Sequence, residues 1–208
     1  MSERRWILAV SLAVAVLLPL AFIAQAGAVS KTSAFGFKVE AQGIRLVVDT
    51  QTATWKKKAD IIPMVIFIGN TASSSTGVLS LNRGCFTLTD PNGKTQALCS
   101  LDTIKDTANY GSIEVANDYS FIRRTIEAGP NVQSFNGQGL QPGTCFYPNV
   151  RGKPNMIRDE VQIRPNGYTW ALLYFPNPAG RAKGTYKLTY TDPTSKATVT
   201  VPFEIAWS

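Results

Sequence analysis

The sequence contains no histidine. Without an imidazole, a Ser-His-Asp or Cys-His arrangement for nucleophilic catalysis cannot be built, and the commonest protein ligand of zinc and copper is missing. The three cysteines, Cys85, Cys99 and Cys145, are too few and too far apart for a structural zinc site. The sequence also lacks a phosphate-binding loop and a dinucleotide-binding fingerprint. The composition therefore predicts a chain that uses neither a metal nor an organic cofactor.

Carboxylates are the remaining route to catalysis, since two acids suffice to hydrolyse a glycosidic bond. The candidate pairs are Asp159 with Glu160 and Glu114 with Asp118. Adjacent residues on a strand point to opposite faces, so Asp159 and Glu160 would not flank one bond. We predict that the protein is not an enzyme, and a secreted hydrolase that uses carboxylates only stays as an alternative.

Residues 1–26 have the pattern of an export signal. Arg4 and Arg5 precede a segment, Trp6 to Ser30, that contains no charged residue. Its apolar part, residues 6–24, is longer than a usual signal peptide and approaches the roughly 20 residues that span a bilayer as a helix. Two alternatives stay open, a cleaved signal peptide and a retained N-terminal membrane anchor. Both place the rest of the chain outside the cytoplasm, because the two arginines hold the start inside.

Residues 27–208 are expected to form one domain, because no repeat or linker-like segment divides them. A domain of this length buries about 70% of its unfolded surface and needs no additional staples. The net charge of +7 favours solubility and a weak attraction to anionic envelope surfaces. No aromatic–basic motif for nucleic-acid binding is present, so nucleic acid is not an expected partner.

The apolar pattern after residue 30 is that of β-strands. Period-two alternation, which is typical of half-buried strands, occurs at residues 44–48, 186–190 and 199–207. The runs Ile61–Ile68 and Tyr168–Phe175 are almost wholly apolar and predict central strands covered on both faces. Pro63 is expected at the start of its strand, since proline cannot donate to a ladder. Nine to eleven short strands with turns about every 8–12 residues predict a sandwich or barrel.

Two segments depart from the strand rhythm. Residues Leu101–Asn109 predict a short helix with Ser100 as its N-cap. Residues 128–159 are rich in glycine, proline and asparagine and predict a long irregular loop at one end of the sandwich. Because loops carry binding more often than the scaffold that holds them, this loop is a predicted binding region.

The second candidate for binding is an aromatic residue followed by three lysines, between two predicted strands. Such a cluster could contact a lipid headgroup or an acidic polymer, and a solvated loop with a packed tryptophan is the alternative. Together with two aromatic residues of the long loop, the predicted binding surface comprises Trp55, Lys56, Lys57, Lys58, Phe146 and Tyr147.

Three segments resemble strands of exported bacterial immunoglobulin-like domains of unknown function. Pro63–Thr71 is a long apolar strand that ends in Asn and Thr, Phe86–Lys94 leads through Asp into a Gly turn, and Gly184–Tyr190 is similar to a penultimate strand. The resemblance implies an all-β fold, an immunoglobulin-like antiparallel β-sandwich, and implies no activity. Many members of this group carry a lipid-anchor cysteine, which this chain lacks.

The turn sequence Asp90–Lys94 also predicts a disulfide. A type I turn with Gly93 in the left-handed position pairs Asp90 with Lys94, and counting outward from this pair places Cys85 opposite Cys99. An exported protein can keep such a bond, and the closed loop of about 15 residues would contribute roughly 3 kcal/mol. Cys145 is then left as a thiol. A bond from Cys145 to either of the other two, and three unbonded thiols, remain as alternatives.

Taken together, these features predict an exported, non-catalytic binding or accessory module of the cell envelope, periplasmic or extracellular. Its expected partner is an envelope protein or another envelope component. The alternative is a subunit of a larger envelope complex, tethered to the membrane through residues 6–24.

Overall fold

The computed structural model describes residues 27–54, 60–72, 77–106, 146 and 160–207. The strands within these ranges are β1 (Ser30–Lys31), β2 (Gly36–Ala41), β3 (Ile44–Asp49), β4 (Ile61–Asn70), β5 (Leu79–Asn82), β6 (Phe86–Thr89), β7 (Thr95–Ala97), β8 (Glu160–Ile163), β9 (Tyr168–Pro176), β10 (Thr185–Thr191) and β11 (Thr198–Glu204). Two short helices accompany them, α1 (Gln51–Thr54) and α2 (Leu101–Asp106). The predicted export segment and all of the long loop except Phe146 lie outside the described residues.

The strands form antiparallel sheets that share one core. One sheet has five strands in the order β1-β2-β3-β4-β9, and a second has four in the order β11-β10-β6-β7. Strands β5 and β8 form a separate two-stranded pair. Phe37 of the first sheet contacts Phe203 of the second, with 6.1 Å between the ring centroids. The predicted all-β architecture is confirmed.

The core is built from the alternating residues that the sequence pattern indicates. Ile44, Leu46 and Val48 of β3 are buried, as are the alternating aromatic and aliphatic residues of β10 and β11. Burying a side chain of this size contributes about 1.5–3 kcal/mol. The largest fully buried rings are those of Tyr174, Tyr186, Tyr190, Phe86, Phe146, Phe175 and Phe203.

Strand β4 is the central strand that its apolar run predicts, since all ten of its residues are buried. Pro63 is its third residue and not its first, which differs from the expectation. Asn177 donates its N–H to the carbonyl of Asp60, and counting by twos from this pair turns the nitrogen of Pro63 away from β9. On that other side the pairing with β3 begins only at Val65, so no ladder bond is lost.

Strand β9 is not the doubly covered central strand that its apolar run predicts. Among the described strands, it lies at one edge of the five-stranded sheet and pairs with β4 alone. Tyr168 and Trp170 are half-buried. The ring of Tyr168 packs on Phe67 at 5.1 Å, so its apolar character is used on the outward face of the sheet.

The hairpin between β6 and β7 has the predicted turn and register. Asp90 donates its N–H to the carbonyl of Lys94, and its carboxylate accepts the N–H groups of Asn92 and Lys94. Gly93 has φ +84°, the left-handed conformation that glycine adopts at no steric cost. Thr87 accordingly pairs with Ala97, as the count from the turn requires.

The predicted disulfide between Cys85 and Cys99 is not formed, and no bond joins these two residues within the described part of the chain. The ladder ends at Thr87 and Ala97, two residues before the cysteines would face each other. Cys85 ends a short 3-10 turn, while the N–H of Cys99 donates to the carbonyl of Tyr174 on β9. The chain has therefore left β6 for the other sheet by Cys99. Pairings through Cys145 lie outside the described residues.

The predicted short helix is present as α2. The hydroxyl of Ser100 accepts the N–H of Thr103 at 3.2 Å, which is the expected N-cap interaction. Ile104 is buried in the core and anchors the helix.

Candidate functional site

Among the described residues, an open groove of about 500 Å³ lies at one edge of the sandwich. One wall comes from β1, β2 and the turn between them, and the other from the ends of β10 and β11. We call it the edge groove; it is lined by Val29, Lys31, Ala34, Phe37, Thr185, Pro202, Phe203, Glu204, Ile205 and Ala206. Its volume lies within the range of small ligand sites, about 300–1,000 Å³.

The groove exists because the two sheets differ in width along this edge. Strand β11, the last of the four-stranded sheet, packs against β2 and β3 of the five-stranded sheet. At the opposite edge of the sandwich, β7 packs against β9. Strand β1 therefore extends beyond β11, and its inward face is left open.

Val29 and Lys31 have inward-facing positions and are nevertheless exposed. Lys31 pairs with Phe37, a core residue, so their side chains share one face of the sheet. The ammonium group of Lys31 lies 5.8 Å from the centroid of the Phe37 ring. Val29 is 45% exposed, and among the described residues it and Val78 are the two exposed large apolar side chains. Part of the apolar surface of Val29 is therefore exposed to solvent inside the groove.

The backbone of β1 turns hydrogen-bonding groups away from β2, at the outer edge of its sheet. Thr32 donates its N–H to the carbonyl of Gly36, so these two residues form a hydrogen-bonded pair of the antiparallel ladder. Such pairs alternate with pairs whose N–H and C=O groups point away from the partner strand. Counting back from Thr32, the backbone groups of Lys31 and Val29 point away from β2.

The free edge of β11 is partly closed. Asp192 donates its N–H to the carbonyl of Ala197, and counting by twos turns Thr198, Thr200, Pro202 and Glu204 away from β10. The N–H of Thr198 is taken by the side-chain oxygen of Gln42, at 3.1 Å. Pro202 has no N–H to offer, which is how edge strands are commonly blunted. The outward groups that remain on this edge are those of Thr200 and, beside the groove, the carbonyl of Pro202 and both groups of Glu204.

Opposite charges stand on the two walls of the groove. Lys31 lies on the β1 wall and Glu204 on the β11 wall, and both side chains are exposed. Within the described part of the chain, the ion pair found joins Arg45 to Glu40, and neither Lys31 nor Glu204 takes part in one. Both charges are therefore available to a bound molecule.

The most buried carboxylate, Asp192, has a structural role. Its Oδ1 accepts the N–H of Ser80 at 3.0 Å, and its Oδ2 accepts the N–H and hydroxyl of Ser195 at 2.7 and 2.6 Å. The hydroxyl of Tyr190 donates to the carbonyl of Ser80 at 2.8 Å and lies 3.3 Å from Oδ1. Burial raises the pKa of Asp192, but these hydrogen bonds outweigh it and hold the pKa below its usual value. The carboxylate joins β5 to the four-stranded sheet and has no free access to a substrate.

The two described cysteines are not activated thiols. Both are buried. Burial raises the pKa of Cys85, and the same cause raises the pKa of Cys99 to about 11. A thiol whose pKa is raised stays protonated at neutral pH, whereas nucleophilic cysteines need a lowered pKa.

The residues of the predicted binding surface meet different outcomes. Trp55, Tyr147 and the lysines at 56–58 lie outside the described residues. Phe146 is corrected: its ring is fully buried against Phe86, at 6.3 Å between centroids, and Arg83 donates to its carbonyl at 3.1 Å. An aromatic ring in a glycine-rich segment is the side chain that can pin that segment to the core. Phe146 is therefore a packing residue and not part of a surface.

Of the two predicted carboxylate pairs, the structure describes one residue, Glu160. Glu160 is exposed at the first position of β8, and Asp159, Glu114 and Asp118 lie outside the description. Among the described residues, no group of three or more acidic or cysteine side chains is close enough to hold a metal ion. In the same part of the chain, no helix is long and apolar enough to cross a membrane.

Comparison with known proteins adds little. No protein-family model matches the chain, and no curated protein matches it. Among solved structures, the chain is similar to the yjhA protein from Bacillus subtilis, with 12% sequence identity and a TM-score of 0.39. The similarity covers 81% of this chain and 95% of that one. A similarity of this size carries no argument about fold or function.

Sequence analysis missed the edge groove, although one signal pointed to it. Pro202 interrupts the alternating run at residues 199–207, and proline inside a strand indicates an edge. Val29 lies across from this edge because of the way the two sheets pack, and a local sequence pattern does not predict this packing.

Proposed function

We propose that the protein is an exported, non-catalytic binding module built on an immunoglobulin-like sandwich, and that it binds its partner at the edge groove. The partner is a component of the cell envelope. The observation that carries the proposal is the groove itself, an apolar depression with an exposed valine and unpaired charges at an unclosed edge of the sandwich.

The strand order supports the immunoglobulin-like part of the proposal. In such sandwiches one sheet contains strands G, F, C and C′ and the other contains A, B and E. The order β11-β10-β6-β7 corresponds to the first set and β3-β4-β9 to the second. Strands β1 and β2 are additions beside A, and they form the wall of the groove that β11 does not cover.

A second support is the hydrogen bond of Tyr186 at the start of β10, the strand that corresponds to F. Its hydroxyl donates to the carbonyl of Ala182, four residues upstream, at 3.1 Å. A tyrosine near the start of strand F that bonds back to the preceding backbone is the tyrosine corner of immunoglobulin-like domains. The indole of Trp207 donates to the same carbonyl at 3.2 Å and closes this corner.

The chemistry of the described residues supports binding without catalysis. Asp192, the most buried of the described carboxylates, has its oxygen atoms occupied by backbone and hydroxyl donors, and the two described thiols are held protonated. In contrast, the groove offers apolar surface, two charges and unpaired backbone groups, which are the means by which proteins recognise a partner.

The tethered form of this function is favoured by the place of the groove. Val29 lies five residues after Ala24, the last residue of the predicted membrane segment. If that segment is retained, the groove faces the membrane-proximal side, where a partner within the same complex would meet it. Cleavage leaves the same groove on a free module.

A matched pair of valine variants tests the proposed function. Val29→Asp places a charge in the groove, and Val78→Asp makes the same change at an exposed valine of similar exposure, 38%, outside it. Envelope components that copurify with the wild-type chain should be retained by Val78→Asp and reduced at least about tenfold by Val29→Asp, a loss of about 1.4 kcal/mol. Equal capture of the envelope components by both variants would show that they do not bind at the edge groove.

A further inference from the structure

We propose that the edge groove binds a short extended segment of another polypeptide, which adds to β11 as one further strand and covers β1. This inference rests on the proposed function and specifies the chemistry of the partner. It assigns the free edge of β11 as the hydrogen-bonding surface and the inward face of β1 as the surface that the segment buries.

At this edge of the sandwich, the described part of the four-stranded sheet stops one strand before the five-stranded sheet does. Strand β11 packs on β2 and β3, and among the described strands none packs on the inward face of β1 to a comparable extent. A strand added beside β11 would occupy the groove and cover Val29, the stem of Lys31 and the ring of Phe37. Covering an exposed inward valine removes apolar surface from water, which stabilises the added strand.

Strand β11 offers backbone groups in the alternating pattern that an added strand requires. Glu204 and Thr200 turn both an N–H and a C=O outward, and Pro202 turns a C=O outward. Main-chain bonds of this kind supply affinity in strand addition, and alternate side-chain pockets supply specificity. The edge groove combines both, because its apolar floor lies directly beside this edge.

The edge of β11 that can accept a strand is short, and this limits the length of the segment. At one end of the edge, Gln42 already occupies the N–H of Thr198, and Pro202 withholds a donor in the middle. A long strand would leave some of its carbonyl groups unpaired along this edge, and burying an unpaired polar group is unfavourable. The stretch that remains beside the groove runs from Pro202 to Glu204, because β11 ends there and the N–H of Trp207 turns back to the carbonyl of Ile205. This stretch suits a short segment.

The side chains of the groove define what the segment carries. Alternate residues of an added strand face the same side, so every second side chain would point at Val29 and Phe37 and should be apolar. Lys31 and Glu204 border the groove with opposite charges, so an acidic residue toward the former and a basic residue toward the latter complement it. The proposed partner is therefore a short, extended, apolar-alternating peptide segment that bears both charge signs.

The test uses a displayed library of random heptapeptides, selected on the purified chain in the form in which the cell exports it. Enriched peptides should show alternating apolar positions. They should bind wild type and Val78→Asp equally and bind Val29→Asp at least about tenfold more weakly. Ala206→Arg, on the opposite wall, should weaken binding in the same way, which guards against a folding effect of any one substitution.

A backbone-methylation scan of an enriched peptide then separates strand addition from binding by side chains alone. N-methylation removes one main-chain donor, so alternate positions should lose affinity while the intervening positions keep it. The inference is overturned if no peptide is enriched, if Val29→Asp binds the peptides as well as wild type, or if methylation has no periodic effect. It is also overturned if light scattering shows that the groove pairs two copies of the chain.

These outcomes are distinct from failure of the proposed function. If Val29→Asp loses an envelope component and no peptide binds, the groove is a binding site and strand addition is wrong. If neither measurement depends on Val29, both proposals fail.

Discussion

Asp192 is the residue whose environment differs most from what its local sequence indicates. In the sequence, Asp192 opens the turn Asp192-Pro193-Thr194-Ser195. Within that turn, its carboxylate accepts hydrogen bonds from the N–H and the hydroxyl of Ser195. Its bond to Ser80, 112 positions away, is tertiary and joins β5 to the four-stranded sheet. A short polar side chain in a turn thus becomes a fully buried junction.

We predict that Asp192→Asn lowers the free energy of unfolding by about 1.5–3 kcal/mol at pH 7, because the amide keeps the shape and loses the charged acceptor. Chemical denaturation of wild type and variant measures the difference. Asp90→Asn is the control for a turn carboxylate with local bonds only. A difference no larger than that of this control would contradict the role of Asp192 as a junction.

The same residue predicts a pH dependence with a defined sign. The folded-state pKa of Asp192 lies below the ordinary value, so the unfolded chain binds its proton first as the pH falls. Its contribution to stability is therefore complete above about pH 4 and is lost as the pH falls through the folded-state pKa. The difference in the free energy of unfolding between wild type and Asp192→Asn should therefore narrow as the pH falls below about 4, and a difference that does not change with pH would contradict this prediction.

Most elements of the sandwich were predictable from the sequence, whereas features that depend on contacts with distant strands were not. The alternation at β3, β10 and β11 and the turn of the β6–β7 hairpin depend on neighbouring residues, and the structure confirms them. The disulfide required the same register to continue two residues further. It failed because Cys99 bonds to β9, and a contact with a distant strand leaves no local signal.

Strand β11 carries the prediction that belongs to elements. Pro202 withholds an N–H at an outward position, so Pro202→Val should restore that donor and leave the ladder to β10 intact. A continuous exposed edge is a template for pairing with another chain. We predict concentration-dependent association of Pro202→Val, measured by light scattering.

Thr200→Val is the matched control for this prediction. It places the same apolar side chain at another outward position of β11 and adds no backbone donor. Association by both variants would mean that surface hydrophobicity, and not the missing N–H, determines the behaviour of this edge.

At the scale of the whole molecule, export is the prediction that rests on sequence alone. Arg4 and Arg5 followed by an uncharged segment predict that the domain is placed outside the cytoplasm. A reporter that is active only outside the cytoplasm, fused after residue 208, should be active in the full chain. A fusion that lacks residues 1–26 should be inactive at equal expression, and an inactive full-chain fusion would contradict export.

The edge groove could not be predicted from any one segment. Residues 29–31 and 202–206 are far apart in the sequence, and they meet because β1 and β11 end their sheets on the same side. The sequence predicted a binding surface at the lysine-rich segment after Trp55 and at the aromatic pair Phe146 and Tyr147. Of that pair, the structure buries Phe146 because a ring gains more from the core than from water.

Residue-resolved hydrogen exchange, with and without the envelope partner captured by the wild-type chain, tests the central claim most directly. In the free chain, the outward N–H groups of Glu204 and Lys31 should exchange fast, while the inward N–H of Val201 should exchange slowly. The account predicts that the partner slows exchange at Glu204. Slowed exchange elsewhere, with the amide of Glu204 unchanged, would contradict binding at the edge groove.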